Sequence, residues 1–174
     1  FAWTTDIPIY LAPLTEALFR SRGQTALETL WALNLGGGWT EALALRALAH
    51  PEDAVREWTV RLAGDTRTVS EPMARALVAL ATHEPDLGVR TQLACTARRL
   101  PAPLGLPLVA ALTGRSEDDA DPRQPLLLGW AIEAQAESDP DAVLALWRDG
   151  DFWRRPLVEH HLIERMARRW AQAG

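Results

Sequence analysis

The sequence has little of several residue types that stabilise or decorate other folds. Cys95 is its single cysteine, which excludes an intrachain disulfide, a CxxCH haem attachment and a cysteine-based zinc site. One Tyr and three Phe occur among 174 residues, and β-branched residues are scarce, which disfavours β-sheet. No apolar run approaches the ~20 residues that a membrane-spanning helix needs. These absences leave an α-helical fold without membrane insertion as the expectation.

An excess of basic charge is also lacking. Eighteen Lys and Arg face twenty-three Asp and Glu, for a formal net charge of −5. This balance gives no general attraction to nucleic acid or to an anionic membrane. The chain begins at Phe1 rather than Met and shows no signal peptide, so we expect it to be cut from a longer polypeptide. The missing targeting signal then says nothing of the parent protein.

Two stretches repeat one motif: a proline and an acidic residue followed by a Val-Arg pair. Val55-Arg56 and Val89-Arg90 stand 34 residues apart, which is typical of stacked helical hairpins. The second helices of five antiparallel pairs are expected to begin near Gln24, Glu52, Asp86, Pro122 and Asp151. The sequence therefore predicts an all-α fold, an α-solenoid of about five short HEAT-like pairs, as a single domain over residues 1–174.

Local signals define several helix ends. Thr40 and Ser70 are predicted N-caps, and the three glycines at 36–38 are predicted to end a helix. Those glycines are not followed by Lys and Ser/Thr, so they do not form a phosphate-binding loop. The last helix is predicted over residues 156–171.

The repeated arginines are expected to fasten one repeat to the next. Val55 and Val89 should face the core, while Arg56 and Arg90 reach an acidic side chain or a carbonyl nearby. The candidate acceptors are Glu52, Asp53, Glu84 and Asp86. Leu127 stands where the next arginine would be, so the pattern is predicted to stop after two rungs.

Several longer runs resemble the HEAT-repeat region of large exported haem proteins from planctomycete-type bacteria. They are ETLWALN (residues 28–34), VREWTVRL (55–62), VRTQLACTARRLP (89–101), LLLGWAIEA (126–134) and WRRPLV (153–158). In that family a dehydrogenase-like β-propeller precedes the repeats and a c-type cytochrome domain follows. The resemblance implies a connecting scaffold in a periplasmic or cell-surface redox protein, and it transfers no catalytic residue to this chain.

The most metal-like cluster is His160-His161 with Glu164, because His160 and Glu164 share a helix face. A transition metal would need a third ligand, such as Glu159 or a residue of a neighbouring repeat. Two surface histidines on an amphipathic helix are the simpler interpretation. No metal ligand is therefore assigned.

The acidic segment 116–121 offers oxygen ligands for calcium but lacks the glycine and the downstream glutamate of an EF-hand, so a solvated loop is expected. Cys95 is expected to be a small core residue. No Ser-His-Asp arrangement is readable from spacing. The sequence thus assigns no catalytic and no cofactor-binding residue, and no cofactor.

Eight tryptophans are many for this length. Four fall on apolar stripes and are predicted to pack in the core: Trp31, Trp58, Trp130 and Trp147. Four lie near helix ends and could dock a neighbouring domain: Trp3, Trp39, Trp153 and Trp170.

Arginines concentrate in two places, Arg98-Arg99 and a C-terminal group of Arg154, Arg155, Arg165, Arg168 and Arg169. In a HEAT-repeat DNA glycosylase a basic concave face holds phosphates, with Trp and Asp around the lesion. Here acidic residues are interspersed, and arginines near helix C-termini are favourable in any case.

The sequence thus favours a non-catalytic scaffold that binds a protein or neighbouring domains of its own chain, and no nucleic acid. A HEAT-repeat DNA glycosylase acting on alkylated bases is the alternative, and a bilin-lyase-like protein is a distant third. A continuous positive groove holding a Trp and a carboxylate would favour the glycosylase, whereas a mixed surface would favour the scaffold.

Overall fold

Ten α-helices follow one another in the computed structural model, which describes residues 9–173. They are α1 (Leu11–Arg20), α2 (Gly23–Leu35), α3 (Glu41–Ala47), α4 (Asp53–Ala63), α5 (Glu71–His83), α6 (Leu87–Arg99), α7 (Ala102–Thr113), α8 (Gln124–Ala136), α9 (Pro140–Arg148) and α10 (Ile163–Ala173). Short 3₁₀ turns lie at Ser116–Asp118 and Phe152–Arg154, and a π-helical turn at Val158–Leu162 leads into α10. Residues 9–173 contain no β-strand, so the all-α prediction is confirmed.

The helix termini follow local chemistry. The side chains of Thr40, Ser70 and Asp86 each accept a hydrogen bond from the backbone N–H three residues on, at 3.0–3.2 Å. Helix α2 ends at Leu35, Gly37 beyond it has a φ of 78°, and Gly38 N–H donates to the Leu33 carbonyl at 2.7 Å. This is the Schellman arrangement, and it needs a residue that tolerates a positive φ. The predicted caps and the glycine stop are confirmed.

The described residues form two compact units, the first ending at Thr59 and the second beginning at Val60, within α4. In the first unit α1 packs against α2, and Leu18, Leu30 and Leu33 are completely buried. His50 is also buried, with its Nε2 3.1 Å from the Leu18 carbonyl oxygen.

The second unit has two layers of helices. Helix α7 contacts α5 on one side and α9 on the other, while α8 contacts α6 and α10. Between the two layers, α6 packs on α7 and α7 packs on α8. The side chains between the layers are apolar and fully buried: Leu77, Leu93, Leu100, Leu108, Leu112, Leu128, Ile132 and Leu157. Along the chain from α5 to α10, successive helices therefore lie in alternate layers.

The last helix differs from its prediction. A continuous helix over 156–171 is expected from sequence, but Val158–Leu162 forms a π-helical turn before α10 begins at Ile163. A π turn holds one extra residue, so the side chains on either side of it change their bearing on the helix. The consequence falls on His160 and His161, which lie inside this turn.

Candidate functional site

The two repeated arginines close the loop before their own helix. Arg56 Nη1 donates to the carbonyl oxygens of His50 and Pro51 at 2.9 and 3.1 Å. Arg90 Nη1 donates to those of Glu84 and Pro85 at 2.9 and 2.7 Å. The acceptors are carbonyls five and six residues back in both cases, whereas the sequence named carboxylates among the candidates. The repeated motif therefore builds the same structure twice.

Arg90 also pairs with an acid that the sequence did not connect to it. Its Nε donates to Asp118 Oδ2 at 2.7 Å and its Nη2 to Oδ1 at 2.5 Å. The two side chains are 6% and 2% exposed. The hydrogen bonds that Arg90 donates to Asp118 hold the pKa of Arg90 above its ordinary value despite burial. The prediction that segment 116–121 is a solvated loop is wrong at Asp118, which is a core residue.

Arg115 fastens the same segment to the end of α5. It donates to the carbonyl oxygens of Thr82 and Glu84 at 2.6 and 3.0 Å and pairs with Glu117. A backbone N–H lowers the pKa of Glu117 below its usual value, and the charge of Arg115 lowers it further. Arg90 and Arg115 thus both stabilise the acidic turn, Arg90 through Asp118 and Arg115 through Glu117.

Second helices bond to second helices at a nearly constant interval. Thr96 donates to the Val60 carbonyl at 3.2 Å, and Gln135 to the Leu100 carbonyl at 2.9 Å. Arg165 forms a two-pronged ion pair with Glu133. The partners lie 36, 35 and 32 residues apart. These contacts connect α4 to α6, α6 to the end of α8, and α8 to α10.

Gln124 continues this series after Arg90. Its Nε2 donates to the Arg90 carbonyl at 3.4 Å across 34 residues. The sequence analysis placed Leu127 where the next arginine would be. Leu127 instead lines a surface groove beside α6. Gln124 lies 34 residues after Arg90 and forms a hydrogen bond through its side-chain amide, so a polar contact is found there although the arginine pattern stops.

That groove, here called the Trp130 groove, lies on the second-helix layer. It has a volume of about 490 Å³ and is lined by Arg67, Ala94, Cys95, Arg98, Arg99, Leu127 and Trp130. Arg99 pairs with Asp65 at 2.5 Å, at the edge of the groove. No carboxylate is found among its described lining residues. The lining therefore presents a cationic and aromatic surface in a chain that is acidic overall.

Trp130 is 41% exposed, so its assignment to the core is wrong. The guanidinium carbons of Arg98 and Arg165 lie 6.0 and 5.8 Å from its ring centroid. Arg67 has a φ of 58°, a left-handed conformation that costs a non-glycine residue roughly 1–2 kcal/mol. Strained backbone of this kind concentrates at functional sites. An exposed tryptophan, nearby guanidinium groups and a left-handed residue thus coincide at one groove.

The remaining tryptophans pack mainly on each other. Trp31 and Trp58 are half-buried and meet edge to face at 5.0 Å. Trp147 is buried as predicted, and the rings of Trp153 and Trp170 lie 4.9 and 6.0 Å from it. Trp153 and Trp170 keep 41% and 38% exposure. Trp39 is half-buried, and Trp3 lies outside the described residues.

Asp119 meets both histidines of the π turn. His160 Nδ1 lies 2.9 Å from Asp119 Oδ2, and His161 Nε2 lies 3.2 Å from Oδ1 and 2.9 Å from the Asp119 carbonyl oxygen. One donor atom from each of the three residues lies within 4.8 Å of the others. The third ligand that the sequence lacked thus comes from the turn after α7, 41 residues earlier. Glu164 is bonded to Arg168 instead.

Each C-terminal arginine has a partner within the protein, and four of the five form ion pairs. Arg165, Arg168 and Arg169 pair with Glu133, Glu164 and Glu137, and Arg154 pairs with Asp151. Arg155 donates to the Ala110 carbonyl and to Thr113. A second cavity of about 490 Å³ has lining residues of both charges, which are Asp121, Glu133, Glu164, Arg165, Arg168 and Arg169.

Sequence reasoning missed Asp118 and Asp119 as functional residues because they sit in a run of acids without distinguishing neighbours. A 34-residue step from Glu84, which carries the carbonyl bound by Arg90, reaches Asp118 and was the available signal.

Comparisons with known proteins add no family. No protein-family model matches the chain, and neither a curated protein nor a solved structure matches it. Within residues 9–173, no helix combines the length and apolar character required to traverse a membrane.

Proposed function

We propose that this chain is a non-catalytic protein-binding scaffold, built as a short α-solenoid of HEAT-like pairs. The observation that carries the proposal is the Trp130 groove, a cationic and aromatic surface on the second-helix layer. Its occupant is an extended acidic peptide segment of a partner protein or of a neighbouring domain.

The solenoid rests on the repeated contacts. Arg56 and Arg90 close their loops through the same atoms, and bonds between second helices recur at 32–36 residues. A repeat architecture requires contacts between neighbours at a fixed sequence interval. A globular helical bundle does not require contacts at a fixed sequence interval.

The acidic partner follows from charge and shape. Three arginines line the groove, and no described lining residue is acidic. Guanidinium groups bind carboxylates through paired hydrogen bonds, and exposed Trp and Arg dominate the energetics of protein interfaces. A peptide carboxylate beside Arg98 and an apolar side chain on Trp130 would use both properties.

The resemblance to exported haem proteins supports an interdomain role. In those proteins the HEAT region stands between a propeller and a cytochrome domain. A parent of this type would place the chain in the periplasm or at the cell surface and supply the acidic segment from the same polypeptide.

A DNA glycosylase would use the same arginines and tryptophan, so it stays as the second candidate. That reaction also requires a carboxylate beside the lesion. The described lining of the groove offers none, and this ranks the scaffold first.

The test is peptide binding by fluorescence anisotropy. The probe is a labelled twelve-residue peptide with alternating Asp and Glu around a central Phe, and its partner probe has Lys at every acidic position. We expect saturable binding of the acidic peptide alone. Trp130→Ala and Arg98→Gln should each weaken it about tenfold, the scale of one charge-assisted hydrogen bond or one interface hot spot.

Leu144→Ala is the matched control, because Leu144 is 44% exposed on α9 and lies outside the groove lining. Equal binding of both peptides, or equal affinity of the groove variants and the control, would overturn the acidic-peptide proposal. Release of an alkylated base from duplex DNA, lost in Trp130→Ala, would establish the glycosylase instead.

A further inference from the structure

Asp119, His160 and His161 have the donor types and spacing of a transition-metal site. Zinc bound at about 2.0–2.1 Å in a tetrahedral set separates its ligand atoms by about 3.3 Å. The imidazole nitrogens lie 2.9 and 3.2 Å from the Asp119 oxygens, and the three donors fall within 4.8 Å. The longest separation would have to close by up to about 1.5 Å to reach the tetrahedral value, a shift that rotation of the two exposed imidazoles can supply.

The backbone that carries Asp119 is held in place from the core. Its neighbour Asp118 is buried and bound at both oxygens by Arg90. The adjacent turn is bonded to the end of α5 through Arg115. A ligand fixed by buried neighbours loses little freedom on binding metal.

The histidines owe their position to the π turn. Successive residues of an α-helix point about 100° apart, whereas a π turn reduces that angle and brings neighbouring side chains closer in direction. His160 and His161 therefore both reach one carboxylate although they are consecutive. Single π turns inside α-helices are frequent at functional sites.

We propose that Asp119, His160 and His161 bind one zinc ion, through a carboxylate oxygen, Nδ1 and Nε2 respectively. Two imidazoles and one carboxylate suit zinc-type ions, while calcium and magnesium prefer all-oxygen ligand sets. Water completes the coordination, since His160 is 54% and His161 39% exposed. The inference is independent of the peptide-binding proposal because it shares no residue with the Trp130 groove.

Zinc at this position would join the turn after α7 to the helix that ends the described chain. The ion binds the folded state and so raises its stability by mass action, with a concentration-dependent melting temperature. The proposed site is a structural zinc site, and no reaction is assigned to it.

The experiment is zinc titration of the purified chain against a chromophoric chelator, with cobalt(II) as the spectroscopic probe. We expect one zinc per chain, and visible cobalt bands of tetrahedral or five-coordinate intensity. His160→Ala, His161→Ala and Asp119→Asn should each lower zinc affinity at least about a hundredfold, since changes to outer-shell partners alone cost 10–100-fold.

His83→Ala is the matched control, because His83 is exposed at the end of α5 and apart from the cluster. It should bind zinc like the parent. Asp119→Asn keeps a hydrogen-bonding side chain, so it separates loss of a ligand from loss of local structure, and circular dichroism without metal verifies folding. Binding below one equivalent, or unchanged affinity in the three cluster variants, would overturn the site.

Discussion

Arg90 uses four of its five N–H donors inside the protein, two on Asp118 and two on carbonyls of the preceding loop. Arginine suits this position because its planar fork meets a carboxylate at two points and keeps its charge when buried. One side chain therefore connects the start of α6, the loop before it and the acidic turn after α7.

Removing the guanidinium should leave a buried carboxylate unpaired. We expect Arg90→Met to lower the free energy of unfolding by about 3–5 kcal/mol, as for other broken buried pairs. Urea denaturation followed by circular dichroism measures the loss.

Arg75→Met is the control, because Arg75 and Glu71 form an exposed pair with 65% and 82% side-chain exposure. Its cost should stay below about 1 kcal/mol. The double variant Arg90→Met with Asp118→Leu should be more stable than Arg90→Met alone, because it removes the orphaned charge. A double variant as unstable as the sum of both single changes would contradict this account.

At the scale of elements, α6 and α7 approach so closely that one position admits only glycine. A Cβ added to Gly105 would lie 2.4 Å from the Ala97 carbonyl oxygen, a backbone atom that cannot swing aside. The contact lets the antiparallel helices pack over the short turn at Leu100 and Pro101. The absence of a side chain at Gly105 therefore permits the short distance between α6 and α7.

Gly105→Ala should therefore destabilise the protein by about 1–3 kcal/mol, the usual cost of overpacking. Gly150→Ala is the matched change, since a Cβ there meets nothing within 4 Å. Its stability should be unchanged or slightly higher, because alanine restricts the unfolded chain. Thermal and urea unfolding of both variants compare the two costs, and equal stabilities would refute the close-approach argument.

The π turn is an element-scale feature with a residue-scale effect. The two consecutive histidines inside it both lie against Asp119. The sequence predicted one continuous helix over residues 156–171, and no glycine or further proline after Pro156 marks the turn.

For the whole molecule, the solenoid proposal makes a prediction about dimensions. A globular chain of 174 residues has a radius of gyration of about 16 Å. Five helix pairs stacked at helix-packing distances of 8–10 Å would form a row about 40–50 Å long, with a similar radius but an asymmetric pair-distance distribution. Small-angle X-ray scattering over a concentration series measures this distribution without interference from association. A symmetric pair-distance distribution without a tail towards about 40–50 Å would rule the solenoid out.

Much of the helical layout could be predicted because its determinants are local. Thr40, Ser70 and Asp86 cap their helices by bonds that span three residues, and Gly37 ends α2 by its own backbone freedom. Such signals stand side by side in the sequence. The predicted starts of the second helices near Gln24, Glu52 and Asp86 each lie one residue from an observed helix start.

The candidate sites could be predicted only in part. The histidines were identified as a pair, but their carboxylate comes from a turn 41 residues away. Trp130 was placed in the core because its neighbours on α8 are apolar, although the side chain is 41% exposed beside Arg98 and Arg165. Periodicity reports that a helix has an apolar side, but it does not report where the adjoining helix leaves that side uncovered.

The amino-acid sequence by itself determined that this chain is helical, where most of its helices begin, and that Arg56 and Arg90 hold equivalent positions near the starts of α4 and α6. Those properties depend on backbone propensity and on hydrogen bonds within a few residues. Tertiary structure alone decided that Asp118 pairs with Arg90, that Asp119 meets His160 and His161, and that Trp130 faces solvent. Each of these depends on which atoms of distant helices come within hydrogen-bonding or van der Waals reach, and packing of the two layers determines that distance.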